Sequence, residues 1–134
     1  AAASDGYLFQ HEVPGVYSDN GSALNSLFKT GYFSLTNGND LVFVDWMLPD
    51  MKWGEYSGAQ NAKLLVTFNV TDYAGQTPTS YGPFEITQDT EYIEPRFRGR
   101  FVQIIIETQT EDVDPNAFWR LGSFRYRYSM SGRR

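Results

Sequence analysis

The chain has 134 residues, the size of one domain, with 41% hydrophobic residues, 16% aromatic residues and a formal net charge of −5. Its aromatic content argues against intrinsic disorder, and its unbroken apolar runs fall far short of the roughly 20 residues that a membrane helix needs. The 12 glycines and 6 prolines argue against a coiled coil, and the absence of cysteine excludes disulfide frameworks, thiol catalysis and cysteine-based zinc sites.

The predicted elements are strands, because apolar residues recur at every second position rather than at helical spacing. In chain order the candidates are residues 6–12, 27–35, 41–48, 63–70, 83–87, 91–94, 101–108 and 118–128. In residues 41–48 the alternation places Val42, Val44 and Trp46 on one face. Residues 118–128 read as a long last strand with a bend at Gly122.

Turn-rich clusters separate these candidates at residues 13–21, 49–58, 72–81 and 111–116. Several short strands with regular turn signals predict an all-β fold, namely an antiparallel, jelly-roll-like β-sandwich with little or no helix. We expect residues 1–134 to form a single domain, because no long linker divides them. The chain lacks an initiator Met and a signal-peptide pattern, so we expect a processed product or a module of a longer protein.

Charge is segregated along the chain. Residues 1–94 hold three lysines, no arginine and 12 acidic residues, a net charge of −9, whereas residues 95–134 hold eight arginines and four acidic residues, a net charge of +4. Side chains two apart on a strand project to one face, which groups Arg98 with Arg100 and Arg125 with Arg127. With Arg96 these are the candidate interface residues, expected on adjacent strands of a hairpin near the carboxyl end.

Three interpretations of the arginines are open. They pair with acidic strands of their own domain, form a protein–protein interface, or contact nucleic acid, since the guanidinium fork suits carboxylates and phosphates alike. The net negative charge argues against non-specific DNA binding.

Catalytic and metal-binding patterns are weak. His11 precedes Glu12, a common pair for which we favour a structural role. Asp112, Asp114 and Asn116 have the spacing of a calcium loop, but the glycine and glutamate that an EF-hand requires further on are missing, which favours a solvated loop. We therefore predict no catalytic residue, no metal ligand and no cofactor.

Aromatic residues on or near predicted loops allow a second type of site. Trp53, Tyr56, Tyr73 and Tyr81 could stack on sugar rings if they formed a flat exposed row. Core packing is the favoured interpretation, because buried aromatics dominate core energetics.

Short motifs in a fixed order carry a resemblance to a known family. The strongest are RFRGRFVQI at residues 96–104, FWRLGSFRY at 118–126 and GRR at 132–134, preceded by FQHE at 9–12, FSL at 33–35, LPD at 48–50 and GPF at 82–84. Together they resemble the carboxyl-terminal region of tail nozzle (hub) proteins of short-tailed bacteriophages, the group that includes packaged-DNA stabilisation proteins.

The resemblance implies a non-enzymatic structural protein of the virion tail, made in the host cytoplasm. Its partners would be other tail or head–tail connector proteins, with a homo-oligomeric ring in the full-length protein, indirect contact with genome DNA and no membrane. A looser likeness to discoidin-type sandwiches, at residues 99–104 and 119–128, supports the alternative of a carbohydrate-binding module. A glycan-degrading enzyme is the least favoured hypothesis.

Overall fold

The computed structural model describes Ser18 and residues 21–53, 62–109 and 117–133 of the chain. None of these residues is helical, and most lie in eight strands. In chain order the strands are β1 (Leu27–Lys29), β2 (Phe33–Ser34), β3 (Asp40–Trp53), β4 (Leu64–Thr71), β5 (Thr79–Ile86), β6 (Phe97–Gly99), β7 (Phe101–Thr108) and β8 (Trp119–Arg133). The predicted all-β class is confirmed.

The strands form two antiparallel sheets. In the first sheet β5 pairs with β4, β4 with β7, and the other side of β7 pairs with β1 and then β2, so that the sheet has four strand positions. In the second sheet β3 lies between β6 and β8, which gives three positions. The jelly-roll form of this arrangement stays a prediction.

The two sheets share one hydrophobic core. In β4 the predicted alternation is confirmed, because Leu64, Val66 and Phe68 are all buried while the residues between them are only half-buried. Their partners in the second sheet include Val44 and Phe97, which are equally buried. Burying each such side chain contributes roughly 1.5–3 kcal/mol, so this apolar interior is the main source of stability.

Ring contacts fix how the sheets overlap. The ring of Phe97 in β6 lies 5.4 Å from that of Phe68 in β4 and 5.9 Å from that of Tyr81 in β5. β6 therefore covers the β4–β5 side of the first sheet. Because β3 separates β6 from β8, β8 lies towards the opposite side, where β1 and β2 form the edge of the first sheet.

The long strand β3 departs from the prediction in two ways. It continues through Pro49 to Trp53, a stretch predicted as a turn. Pro49 is tolerated because backbone polar groups alternate sides along a strand: those of Met47 bond to Ile93, on the side away from β8, so the nitrogen of Pro49 also points to that side, where no described residue pairs with it. A second irregularity after Val44 shifts the alternation, so Met47 is buried rather than Trp46. A bulge adds one residue and thereby exchanges the two faces.

The predicted hairpin of arginine-bearing strands is wrong. β7 belongs to the first sheet and β8 to the second, and β6 and β8 are separated by β3 rather than adjacent. The strands β7 and β8 themselves were predicted correctly, and the bend at Gly122 is confirmed by a register shift opposite residues 49–51. The pattern of a strand identifies its faces but carries no information on distant pairing partners.

Candidate interaction surface

The outer face of the second sheet brings together cationic and aromatic side chains. Directly opposed residues of antiparallel strands share a face, and the buried Val42 and Val44 define the inner one. On the outer face Phe43 lies between Arg98 and Ser129, Trp46 lies opposite Arg127, Leu48 lies opposite Arg125, and Lys52 lies opposite Arg120. We call this set the arginine face.

An ion pair stands at its centre. Arg127 Nε donates to Asp45 Oδ1 at 2.9 Å, and a terminal nitrogen of the same guanidinium donates to Oδ2 at 2.7 Å. These hydrogen bonds hold the pKa of the Asp45 carboxyl below its ordinary value of 3.8, and the carboxylate in turn raises the pKa of Arg127. Asp45 occupies the extra position of the bulge after Val44, so the same irregularity that displaces Trp46 places the acid beside Arg127.

Two further arginines of the predicted set have partners within the domain. The guanidinium of Arg98 donates to the backbone carbonyl of Ser131 at 3.0 Å and so reaches across β3 to β8. Arg96, just before β6, forms a salt bridge with Glu94 at 3.2 Å. For these positions the structure favours the interpretation of pairing within the domain.

Arg125 and Arg120 differ from the others. Both are exposed, and neither forms a hydrogen bond or an ion pair with any residue that the structure describes. Leu48, opposite Arg125, is half-buried. The centre of the nearby Trp46 ring lies 6.2 Å from that of the exposed Tyr92, with the two rings tilted by 32°. Arginine, tryptophan and tyrosine are the residue types that dominate binding at protein interfaces.

Arg100 is separate from the arginine face. β6 ends at Gly99, so Arg100 lies in the bend before β7 and does not share a strand face with Arg98, contrary to the prediction. Its guanidinium carbon lies 5.5 Å from the centre of the Tyr73 ring, a cation–π contact. Its Nε and one terminal nitrogen are buried and have no hydrogen-bond partner within the described ranges.

The predicted sugar-stacking aromatics do not form one row. Tyr73 follows β4 and lines a shallow cleft of about 530 Å³ with Tyr32, Phe101 and Pro78. Trp53 is the last residue of β3 and lies opposite Trp119. Trp119 donates to Thr108, which pairs with the first residue of β4, so Trp53 lies at the end of the sheets opposite to Tyr73. Tyr81 packs its ring on Phe97 at the margin of the core.

Several predictions fall on residues outside the described ranges. These are the predicted strand at 6–12 with the pair His11 and Glu12, Tyr56, and the loop at 111–116. Within the described ranges no group of His, Cys, Asp or Glu is arranged to hold a metal ion. The same ranges contain no helix with the length and apolarity to traverse a bilayer.

Sequence reasoning missed three contributors to this surface. Arg120 was not among the candidates, although its side chain has the same outward direction as Arg125 in the register with β3. Asp45 was missed because its place depends on the bulge, which no residue in residues 41–48 signals, and for the same reason Trp46 was assigned to the face of Val42 and Val44.

No family model, no curated protein and no solved structure matches the chain.

Proposed function

We propose that this chain is a non-enzymatic structural module of a bacteriophage tail nozzle that takes part in tail assembly and genome retention through its arginine face. The resemblance of the motifs at residues 96–104 and 118–126 supports the family, and the geometry supports the mode of action. The observation that carries the proposal is the pair of exposed guanidinium groups of Arg120 and Arg125, which have no hydrogen-bond or ion-pair partner among the described residues and lie on the face of Trp46 and Leu48. Arginine without an internal partner retains all its donors for a partner protein.

The complementary surface is acidic. Asp89 and Glu91 lie on the segment between β5 and β6, and both are exposed. Shortly after them Ile93 bridges to Met47 of β3, so the segment approaches the second sheet from the β6 side, whereas Arg125 lies on β8 at the opposite edge. Contact between these unlike surfaces of neighbouring copies is heterologous, the type of contact that closes a ring. The virion tail is the proposed location and connector proteins are the proposed further partners.

Self-association at low salt tests this function. Size-exclusion chromatography with light scattering should show oligomers that dissociate as salt rises, because screening weakens contacts between exposed charges. Arg125→Glu should abolish the oligomers. Lys29→Glu makes the same charge change on an exposed residue of the first sheet and should leave them intact. A chain that stays monomeric at every salt and protein concentration contradicts assembly through this face.

A carbohydrate-binding module is the second candidate, and the cleft beside Tyr73 favours it. Tyr73 and Tyr32 are 43% and 46% exposed, and aromatic rings at a shallow cleft can stack on the apolar faces of sugars. A glycan array should then give a signal that Tyr73→Ala removes. Tyr92→Ala, at a residue of similar exposure outside the cleft, should retain it.

A further inference from the structure

The free edge of β8 differs from the other sheet edges. Among the described residues β8 pairs only with β3, so its other side offers unpaired backbone N–H and C=O groups along a strand of 15 residues. Extra residues interrupt its register with β3 between Leu121 and Phe124 and between Met130 and Arg133, so the regular part of this edge is residues 124–130. The other edges are formed by the short strands β1, β2 and β6, or by β5, whose pairing with β4 is interrupted near Gly82 and Pro83. Short, irregular or proline-containing edges resist the addition of a strand, and long regular ones accept it.

Apolar side chains at this edge point inward but remain exposed. Tyr126, Tyr128 and Met130 lie opposite Met47, Val44 and Val42 in the pairing of β8 with β3, which places them on the core side. Their exposed fractions are nevertheless 37%, 46% and 57%. They form an apolar strip that the first sheet leaves incompletely covered.

The facing sheet has matching exposed residues. Phe28 and Phe33 pair with the buried Ile106 and Val102, so both point inward, and they are 44% and 38% exposed. They belong to β1 and β2, the side of the first sheet towards which β8 lies. The first sheet has four strand positions and the second has three, so among the residues that the structure describes no strand of the second sheet lies over β1 and β2.

The charges at the outward positions of β8 determine which kind of strand can pair with its free edge. Arg125 and Arg120 point outward, and no residue in the described part of the chain pairs with them. Opposite charges directly across a strand pair stabilise it, whereas like charges destabilise it. A second copy of β8 paired antiparallel around Tyr126 would place Arg125 against Arg127. The edge therefore suits an incoming strand that is apolar at inward positions and acidic at outward ones.

We propose that β8 accepts an extended segment of a partner protein, with alternating apolar and acidic residues, as a fourth strand of the second sheet. Backbone hydrogen bonds along β8 would supply affinity, while the strip of Tyr126, Tyr128 and Met130 would select apolar side chains. This inference deepens the proposed assembly function and rests on it for the identity of the donor as a partner protein.

Peptide binding followed by amide hydrogen exchange tests the proposal. The probe is a synthetic peptide that alternates valine and glutamate. Its length of about ten residues is at the upper end of typical strand lengths. At ten times Kd it should slow exchange at the free edge of β8 about tenfold and leave β5 unchanged. A peptide that alternates valine and lysine should have no effect, because lysine would face Arg125.

Variants of the exposed tyrosines locate the site. Tyr128→Ser should weaken binding of the glutamate peptide, and Tyr92→Ser is the matched control, since Tyr92 is 49% exposed and lies outside the strip. Equal binding of both peptides, no binding at millimolar peptide, or an equal effect of the two variants overturns the proposal. Amides at the free edge of β8 that are already protected in the unbound chain also overturn it, because the chain would then fill the position itself.

The outcome is separable from that of the proposed function. Salt-sensitive association that depends on Arg125, in a chain that does not bind the glutamate peptide, would leave the arginine face as a contact surface and reject strand addition alone. Peptide addition at β8 in a chain that never self-associates would keep the edge as a binding site and reject association of this chain through its arginine face.

Discussion

Asp45 shows how one inserted residue determines local electrostatics. The bulge after Val44 positions its carboxylate against the guanidinium of Arg127, with the shortest contact at 2.7 Å. Both side chains of the ion pair are accessible to solvent, so screening limits the strength of the pair. Its effect should therefore be visible mainly as a dependence of stability on pH rather than as a large share of the total stability.

The Asp45→Asn variant should flatten the acid limb of the stability curve. The pKa of Asp45 is lowered in the folded state, so its stabilising contribution is present above the ordinary carboxyl value of 3.8 and is lost as the pH falls through the lowered value. The difference in unfolding free energy between wild type and variant should be largest near neutral pH and should shrink as the pH falls below 3.8 and through the lowered pKa of Asp45. Urea unfolding at several pH values measures it.

Asp89→Asn is the control for this measurement, because Asp89 is exposed and has no ion pair with a described residue. It should reproduce the wild-type acid limb. If the curves of wild type and Asp45→Asn run parallel from neutral to acid pH, the ion pair makes no contribution in solution.

At the level of strands, alternation predicted the faces wherever the pairing is regular. Residues 63–70 and 101–108 were placed correctly, since Val66 and Ile104 are buried as expected. The same reasoning was wrong in residues 41–48, because a bulge leaves no mark in the hydrophobic pattern and moves Trp46 outward. It was also wrong about the arginine strands, because the partners of a strand are decided by packing across the whole domain.

Gly99, the last residue of β6, is required by close packing between the sheets. A Cβ added there would collide with Cγ1 of Val70 in β4 and would lie 3.5 Å from the backbone oxygen of Thr71. Gly99→Ala should therefore destabilise the fold by about 1–3 kcal/mol, as overpacking in a dense interior does. Thermal or urea unfolding gives the value.

Gly31→Ala is the matched control for Gly99→Ala. An added Cβ at Gly31 meets nothing within 4 Å, so its effect should stay within about 0.5 kcal/mol. Equal losses of stability for the two variants would mean that the contact with Val70 does not determine the cost of Gly99→Ala.

At the level of the whole molecule, the charge segregation seen along the chain is kept only in part across the second sheet, because Arg98 on β6 and Arg96 just before it lie on the same side as the acidic segment and are held by partners there. The acidic segment with Glu91 approaches from the β6 side, and Arg125 lies on β8. The sequence predicted the unequal halves but not this separation, since it depends on β3 lying between the two. Opposite charges at opposite edges of one sheet are what a side-by-side arrangement of copies requires.

A charge exchange tests that arrangement directly. Arg125→Glu and Glu91→Arg should each abolish association at low salt, because each places like charges across the contact. The double variant should associate again, since it restores an opposite pair with the signs reversed. Light scattering at low and high salt measures the masses, and recovery should disappear as salt screens the pair.

The paired control exchanges charges on the first sheet, with Lys29→Glu and Glu85→Lys. Both residues are exposed and neither belongs to the arginine face, so the single and double variants should all associate like wild type. Recovery in the Arg125 and Glu91 double variant alone would identify the two edges as one contact. A double variant as defective as the single variants would show that Arg125 and Glu91 do not meet in one contact. Arg125 would then contact an acidic surface other than the segment that carries Glu91, and copies of the chain would not be arranged side by side through these two edges.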